Sequence, residues 1–449
     1  MTKIVIASVN AKFIHLNLAI RNMQKYLAKI APDLECVIKE WNINQRFIDM
    51  VRELYEAKSD LLLFSIYIWN VDFTLKLIRE LKKLSPKMRI VVGGPEVMYR
   101  KEALLAAYPE IETVLVGDGE TALAEFLGIN VNIPDCTNLD YIPFPYDAEE
   151  IERTRNQILY YESSRGCPFA CAYCLSSIHQ QVRYFSLARV LEDIDFFMQH
   201  KVKLVKFVDR TFNLNSERYL AIWAHIIKTH NGITTFHFEL AGDLLTADDL
   251  TLLKTAPPKA FQFEVGIQSA HLPTLKAISR KTDLEKLKNN LLGIGDNIHL
   301  HVDLIAGLPL EDLETFGKSF DYAMSLEPEM MQLGFLKILS GTEMERQVIA
   351  NPKYIYLSHP PYEVIATPWV PFEDMMHLKD IDKTVDIYYN SGRHTLQDTS
   401  FSFFSDLAKH LRETGVFSDP RRPEFYAKAL IGYETGHNLV ITTLAPHCI

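Results

Sequence analysis

Gln157-Ile-Leu-Tyr-Tyr-Glu162-Ser-Ser-Arg-Gly-Cys167-Pro-Phe-Ala-Cys171-Ala-Tyr-Cys174 joins a short apolar run to three cysteines within eight positions. The run has the length and β-rich composition of a buried strand, and the cysteines follow at its C-terminal end. Downstream the same beat returns. Strand-like runs fall at residues 157–162, 204–209, 235–241, 261–267, 299–305 and 332–338. Helical periodicity fills the gaps at 187–198, 218–228, 284–292 and 311–324. Six strand–helix units predict an α/β fold, a partial or full parallel (β/α)6 barrel over residues 156–345. In such barrels chemistry gathers at the C-terminal strand ends, where the cysteines lie.

Upstream, residues 1–130 also alternate. Strand patterns at 4–7, 60–65, 89–94 and 113–117 are separated by helical stretches such as 18–30 and 72–84. The reading is a separate Rossmann-like domain with a doubly wound parallel sheet. Residues 131–155, punctuated by Pro134, Pro143 and Pro145, read as a linker. Residues 346–449 lose the beat. They are rich in Pro, Tyr and Phe, hold one clear helix at 402–413 before Gly415, and read as a separate C-terminal accessory or cap region.

Composition narrows the function. With 48% apolar and 23% charged residues the chain is of globular type, and a net charge of −10 argues against nucleic acid as partner. The run Lys3-Ile-Val-Ile-Ala-Ser8 is too short for a secretory leader, and no apolar stretch approaches membrane-span length. Six cysteines, three of them clustered, point to metal in a reducing cytoplasm and not to a disulfide framework. Cys36, Cys136 and Cys448 are isolated and read as small hydrophobes.

Thiolates are the usual ligands of iron–sulfur clusters, and three of them leave one iron of a four-iron cluster open for binding chemistry. Taken alone, the cysteines with His179 also fit a closed Cys3His zinc site. The C-x3-C-x2-C spacing, with Tyr173 before the last cysteine, resembles the signature of the radical S-adenosylmethionine superfamily. Segments in the matching order extend that resemblance over about 190 residues. They are Lys206-Phe-Val-Asp209-Arg-Thr211-Phe-Asn213, Phe261-Gln-Phe-Glu264-Val-Gly266-Ile-Gln268-Ser269 and Asp303-Leu-Ile-Ala-Gly307-Leu-Pro309-Leu-Glu-Asp312. The resemblance implies a 4Fe–4S cluster on Cys167, Cys171 and Cys174. It also implies S-adenosylmethionine contacts from Tyr173, Asp209, Thr211, Asn213, Glu264, Gln268, Ser269, Gly307 and Pro309. Arg210 and Glu239 are either site residues or structural charges. His299 and His301 share one strand face and read as structural, as does the aromatic Phe401-Ser-Phe-Phe404.

A Rossmann-like unit before such a barrel resembles the cobalamin-binding class of the same superfamily. The strand-end residues that would line the corrinoid are Asn10, Ser65, Tyr67, Trp69, Asn70, Gly93, Gly94, Pro95, Glu96, Gly117, Gly119 and Glu120. The D-x-H-x-x-G motif of classical cobalamin domains is absent, and the setting of His15 does not match it. Only Cys36 precedes residue 130, so the second cysteine triad of tRNA methylthiotransferases is missing.

The resemblance implies cobalamin-dependent methylation of an unactivated carbon. One S-adenosylmethionine would supply the radical, and another would remethylate the corrinoid after methyl transfer. Electrons would come from a donor such as flavodoxin or ferredoxin. The alternatives are a cobalamin-dependent radical cyclisation or rearrangement without methyl transfer, and a non-catalytic corrinoid or redox sensor. No catalytic residue and no substrate is legible.

Overall fold

The computed structural model describes residues 2–130, 138–178, 180–418, 423–437 and 442–443. Strand β1 (Lys3–Asn10) is buried from Ile4 onward, as the central strand of a sheet covered on both faces must be. It pairs in parallel with β2 (Glu35–Asn42) on one side and β3 (Leu61–Ser65) on the other. β4 (Arg89–Gly93) and β5 (Thr113–Leu115) complete a parallel sheet of order β2-β1-β3-β4-β5. The order reverses between β1 and β3, which opens a crevice at the C-terminal strand ends. β2 is an edge strand of which only Trp41 and Asn42 are buried. It lacks an apolar run, so the sequence pattern passes over it, and over the helix Phe47–Glu56 just after it.

The second sheet contains β6 (Leu159–Tyr161), β9 (Leu204–Phe207), β10 (Thr235–Leu240), β11 (Phe261–Gln268), β12 (His299–Ala306) and β13 (Met330–Phe335). They are parallel neighbours in chain order, with β6 and β13 at open edges. The barrel is therefore partial. A short hairpin of β7 (Ser164–Arg165) and β8 (Arg183–Tyr184) flanks the cysteine loop.

Strand alternation sorts the barrel's two faces. On β11, Phe261, Phe263, Val265 and Ile267 are buried, while Gln262, Glu264, Gly266 and Gln268 occupy the other face. Trp223 from the helix Ser216–Thr229 packs on Phe261 and Phe263, and Phe238 joins them from β10. The apolar side faces the helices; the polar side lines the barrel interior.

Two expectations need correction. Residues 138–155 are more than a linker: they hold the helix Ala148–Arg153, and Leu139, Ile142, Tyr146 and Ile151 enter the barrel's core. The C-terminal region is not a separate unit. Its helices Phe372–Val385 and Phe401–Glu413 share that core, with Phe401 and Phe404 each 5.6 Å from the Phe320 ring. Aromatic side chains that lack a helical or strand beat in sequence still bury large area against a neighbouring element. The reading of Phe401–Phe404 as core holds.

Arg21 ties the first domain to the helix that connects it with the barrel. It is 1% exposed, donates to Glu40 at 2.7 Å and to Glu150 of the connecting helix at 2.7 Å. Removing one partner of a buried ion pair leaves uncompensated charge, at a cost of about 3–5 kcal/mol. Arg21→Met is therefore expected to lower the urea midpoint by an amount equivalent to about 3 kcal/mol; an unchanged midpoint would show that this triad does not stabilise the chain.

Candidate active site

The cysteine loop is held by backbone on both sides. Gly166 adopts φ +107°, and a Cβ there would lie 2.1 Å from the Gln181 carbonyl oxygen, so this position demands glycine. Ala172 N–H donates to the Ile278 carbonyl at 2.9 Å, and its own carbonyl accepts from Met344 N–H at 2.8 Å. Cys167, Cys171 and Cys174 are free thiols lining one cavity of about 780 Å³ at the C-terminal ends of the barrel strands. Their sulfurs do not all lie within 4.8 Å of one another. His179, the fourth ligand of the zinc alternative, lies outside the described residues, as do Cys136 and Cys448.

The surroundings suit anionic sulfur. Arg280 Nη1 lies 3.8 Å from Cys171 Sγ, and Thr211 Oγ1 lies 3.8 Å from Cys167 Sγ. Burial pushes the Cys167 thiol upward, so its thiolate form calls for a positive centre beside it. Arg280 carried no sequence signal. It lies twelve residues past Gln268, outside any expected motif, and its guanidinium is brought in by the turn after the short helix Leu272–Ala277.

Of the residues expected around S-adenosylmethionine, Tyr173, Thr211, Glu264 and Gln268 line this cavity. Gln268, at φ +71°, presents a buried Oε1 without a partner, an acceptor suited to an incoming donor. Asp209, Asn213, Ser269, Gly307 and Pro309 do not line it. Asp209 is 1% exposed and accepts from Ser163 N–H at 2.8 Å and from the Ser163 and Ser164 hydroxyls at 2.7 and 2.5 Å. Asn213 clamps both backbone groups of Ala241 at 2.9 Å. The Ser269 hydroxyl donates to buried Glu311 at 2.7 Å. Gly307 packs under Met375, and the Pro309 carbonyl accepts from Thr274. These five hold the strand ends in place.

Both undecided charges, Arg210 and Glu239, do line the cavity. Deeper in, Glu264 accepts from Lys206 and His237, each at 2.9 Å. Burial opposes its ionisation, yet the His237 and Lys206 hydrogen bonds hold it well below the usual carboxylate range. His301 Nε2 lies 3.1 Å from Asp303 Oδ1, so His301 belongs to this polar interior, but neither atom makes a hydrogen bond there.

A second cavity of about 580 Å³ lies between the two domains. Asn10, Ser65, Tyr67, Trp69, Gly93, Gly94, Pro95, Gly117, Gly119 and Glu120 line it, as anticipated. Gly94 sits so close to Ile66 that a Cβ would meet its carbonyl oxygen at 2.3 Å, and Gly117, at φ +94°, has nothing within 4 Å of a Cβ position. Tyr67 and Trp69 stack at 4.4 Å and 8°, with Trp69 46% exposed. Backbone surface beside a stacked aromatic pair, with Trp69 exposed, fits a large flat cofactor. Asn70 and Glu96 fall outside. Asn70 is fully buried and donates to the Val9 and Ser65 carbonyls, while Glu96 accepts from the C-terminal Tyr362 hydroxyl at 2.8 Å.

The opposite wall belongs to the barrel domain and was not legible in sequence: Tyr160, Glu162, Arg165, Val208 and Arg210. His15 also reaches this cavity, its Nδ1 2.7 Å from the Tyr160 hydroxyl, and burial lowers its basicity. Arg165 binds Glu120 through both terminal nitrogens at 3.1 and 3.0 Å, and Glu162 at 2.5 Å. Asp118 is bound by Arg183 at 2.6 Å. The Asp209 contacts predict a separable phenotype. Asp209→Asn leaves at least one buried donor unmatched, which costs about 1–3 kcal/mol. It is expected to lower the melting temperature while leaving S-adenosylmethionine affinity per cluster-loaded chain within about twofold, measured by equilibrium dialysis.

Known proteins divide along the same lines. Residues 4–127 match the B12 binding domain family, 161–323 the radical SAM superfamily, and 351–439 a family described as a protein of unknown function (DUF4080). The 2-(S-pantetheinyl)-carbapenam-3-carboxylate methyltransferase of Streptantibioticus cattleyicolor is 27% identical over 60% of this chain and 46% of its own. The cobalamin-dependent radical SAM methyltransferase TokK of Streptomyces tokunonensis is 25% identical over 58% of this chain and 44% of its own. The chain thus spans under half the length of these two curated relatives. Among solved structures, TsrM from Kitasatospora setae, with cobalamin and a [4Fe–4S] cluster bound, has a TM-score of 0.62 at 14% identity, over 80% of this chain and 76% of its own. The cobalamin-dependent radical enzyme OxsB gives 0.60 at 17% identity, over 98% and 71%. These two show a shared fold. A region that matches the B12 binding domain family, with its strand-end cavity, thus precedes a partial barrel that matches the radical SAM superfamily and carries the cysteine triad.

Proposed function

We propose that this protein is a cobalamin-dependent radical S-adenosylmethionine methyltransferase acting on an unactivated carbon. One observation carries the reading: the cysteine cavity and the interdomain cavity meet at Arg210, which lines both. A molecule held there touches both cofactor sites, as methylation through two cofactors requires. The relatives named as methyltransferases support methyl transfer over ring closure.

Cys167, Cys171 and Cys174 would hold the cluster, and the strand-end residues from Asn10 to Gly119 would hold the corrinoid. When bound, these groups and S-adenosylmethionine supply a carbon-centred radical and a transferable methyl group. The chain positions and shields. Arg280 would donate toward cluster sulfur at Cys171, Thr211 Oγ1 lies beside the Cys167 sulfur, and Gln268 would offer its unpartnered acceptor to S-adenosylmethionine. Buried Phe207, Phe238 and Phe263 exclude water from the far side of the barrel wall. The chemistry needs a one-electron donor of flavodoxin or ferredoxin type and a reducing compartment, the cytoplasm. Among the described residues no helix is long and apolar enough to cross a membrane.

Anaerobic reconstitution with iron, sulfide and cobalamin is expected to give about four irons and one corrinoid per chain. Cys171→Ala should lose the iron and keep the corrinoid; a variant with full iron and full turnover would sink the assignment of the triad. With S-adenosylmethionine labelled in its methyl group, the product should gain one labelled CH2. Formation of 5′-deoxyadenosine with an unlabelled product would point instead to a rearrangement.

A further inference from the structure

Arg210 stands apart from the other charges of the site. Its backbone is fixed on both sides: Asp209 is locked onto Ser163 and Ser164, and the Thr211 hydroxyl donates to the Arg210 carbonyl at 2.7 Å. Its side chain, by contrast, is exposed to both cavities and, among the described residues, has no hydrogen-bond or ion-pair partner. The guanidinium groups nearby are already committed. Arg165 is bound to Glu120 and Glu162, and Arg280 to Gly266 and the Cys171 sulfur. Glu239, on the neighbouring strand β10, makes no ion pair with Arg210, although the Arg210 charge opposes the upward push that burial gives its carboxyl. A cation on a rigid mount, in a space that a ligand would dry, needs an anion when the ligand arrives, because unpaired buried charge is costly. The planar guanidinium fork matches carboxylate and phosphate oxygens.

We propose that Arg210 is the substrate anchor, and that the substrate carries a carboxylate or phosphate group beside the carbon that reacts. This rests on the two-cofactor reading above, because only then must the reacting carbon lie where the cavities meet. Glu239, on the neighbouring strand and lining the same cavity, supplies an acceptor for a donor group of the same molecule.

The test uses full-length protein reconstituted with cluster and cobalamin and saturated with S-adenosylhomocysteine. It is incubated with a bacterial metabolite extract, and retained small molecules are identified by mass after rapid gel filtration. Wild type, Arg210→Gln and Arg210→Lys are compared. Retained acids should fall about tenfold to a hundredfold with Arg210→Gln, less with Arg210→Lys, with iron and corrinoid content unchanged. Retained carboxylates or phosphate esters then identify which anion is used. The same set of molecules from both proteins, including none from either, or a set that is neutral, overturns the proposal. So does loss of corrinoid or of S-adenosylhomocysteine from Arg210→Gln alone, which would place Arg210 on a cofactor. Wild-type protein that takes up neither iron nor corrinoid would overturn the two-cofactor reading, and the proposal that rests on it, before any ligand is weighed.

Discussion

Residues 162–167 are the hinge on which the two halves of this molecule depend. Glu162 and Arg165 join the ion lattice with Glu120 and Asp118. Ser163 and Ser164 strap to Asp209, and Gly166 makes the close turn that delivers Cys167. One six-residue stretch thus sets the distance between the first domain and the barrel, and starts the cluster loop. The charges involved are largely buried, so their geometry matters more than their net contribution to stability. A lattice of this kind is weak evidence for stability but strong for a fixed arrangement, because any slip leaves a carboxylate or guanidinium unpaired in a dry setting.

The barrel's alternation does the complementary task. Phe236, Phe238, Phe261, Phe263 and Val265 turn outward into an aromatic and aliphatic layer beneath the helices. Their neighbours in sequence, His237, Glu239, Glu264 and Gly266, turn inward. The outer face stabilises the strands by burial, which lets the inner face hold a polar set that would not fold by itself. Within that set Lys206 and His237 are paired with Glu264. Among the described residues, Gln268 Oε1, the Arg210 guanidinium and the close contact of His301 with Asp303 are left without a hydrogen bond, and Gln268 and Arg210 face cavity.

The C-terminal region closes the barrel's side and also reaches the first domain. Tyr362 donates to Glu96 and lies under Arg100, whose guanidinium is 4.6 Å from the ring centroid. Glu96 therefore serves as an interdomain contact, although it comes directly after the strand-end glycines. Sequence proximity to a cavity-lining motif does not decide which way a side chain turns.

Much of the architecture was legible because it is periodic. Buried parallel strands read as apolar runs, and their spacing exposes the two alternating units, while the three cysteines announce metal by their spacing alone. β2 escaped because an edge strand need not be apolar, and the aromatic C-terminal helices read as a separate region because burial against the barrel leaves no local period. Within the site, residue type at a strand end located Gln268, Thr211 and the glycines of the interdomain cavity. It also pointed to Asp209, Asn213, Ser269, Gly307 and Pro309, which do not line that cavity; Asp209 and Asn213 bind neighbouring backbone groups instead. Two parallel α/β units, a cysteine-rich loop at a strand end and a set of strand-end glycines could be read from the chain alone, since each is a local pattern. Folding alone made Tyr160, Glu162, Arg165 and Arg210 the second wall of the interdomain cavity, brought Arg280 to the cysteine loop, and left Arg210 unpaired between the two cavities. Those facts depend on which charges far apart in the chain find partners on folding, and no local period records that.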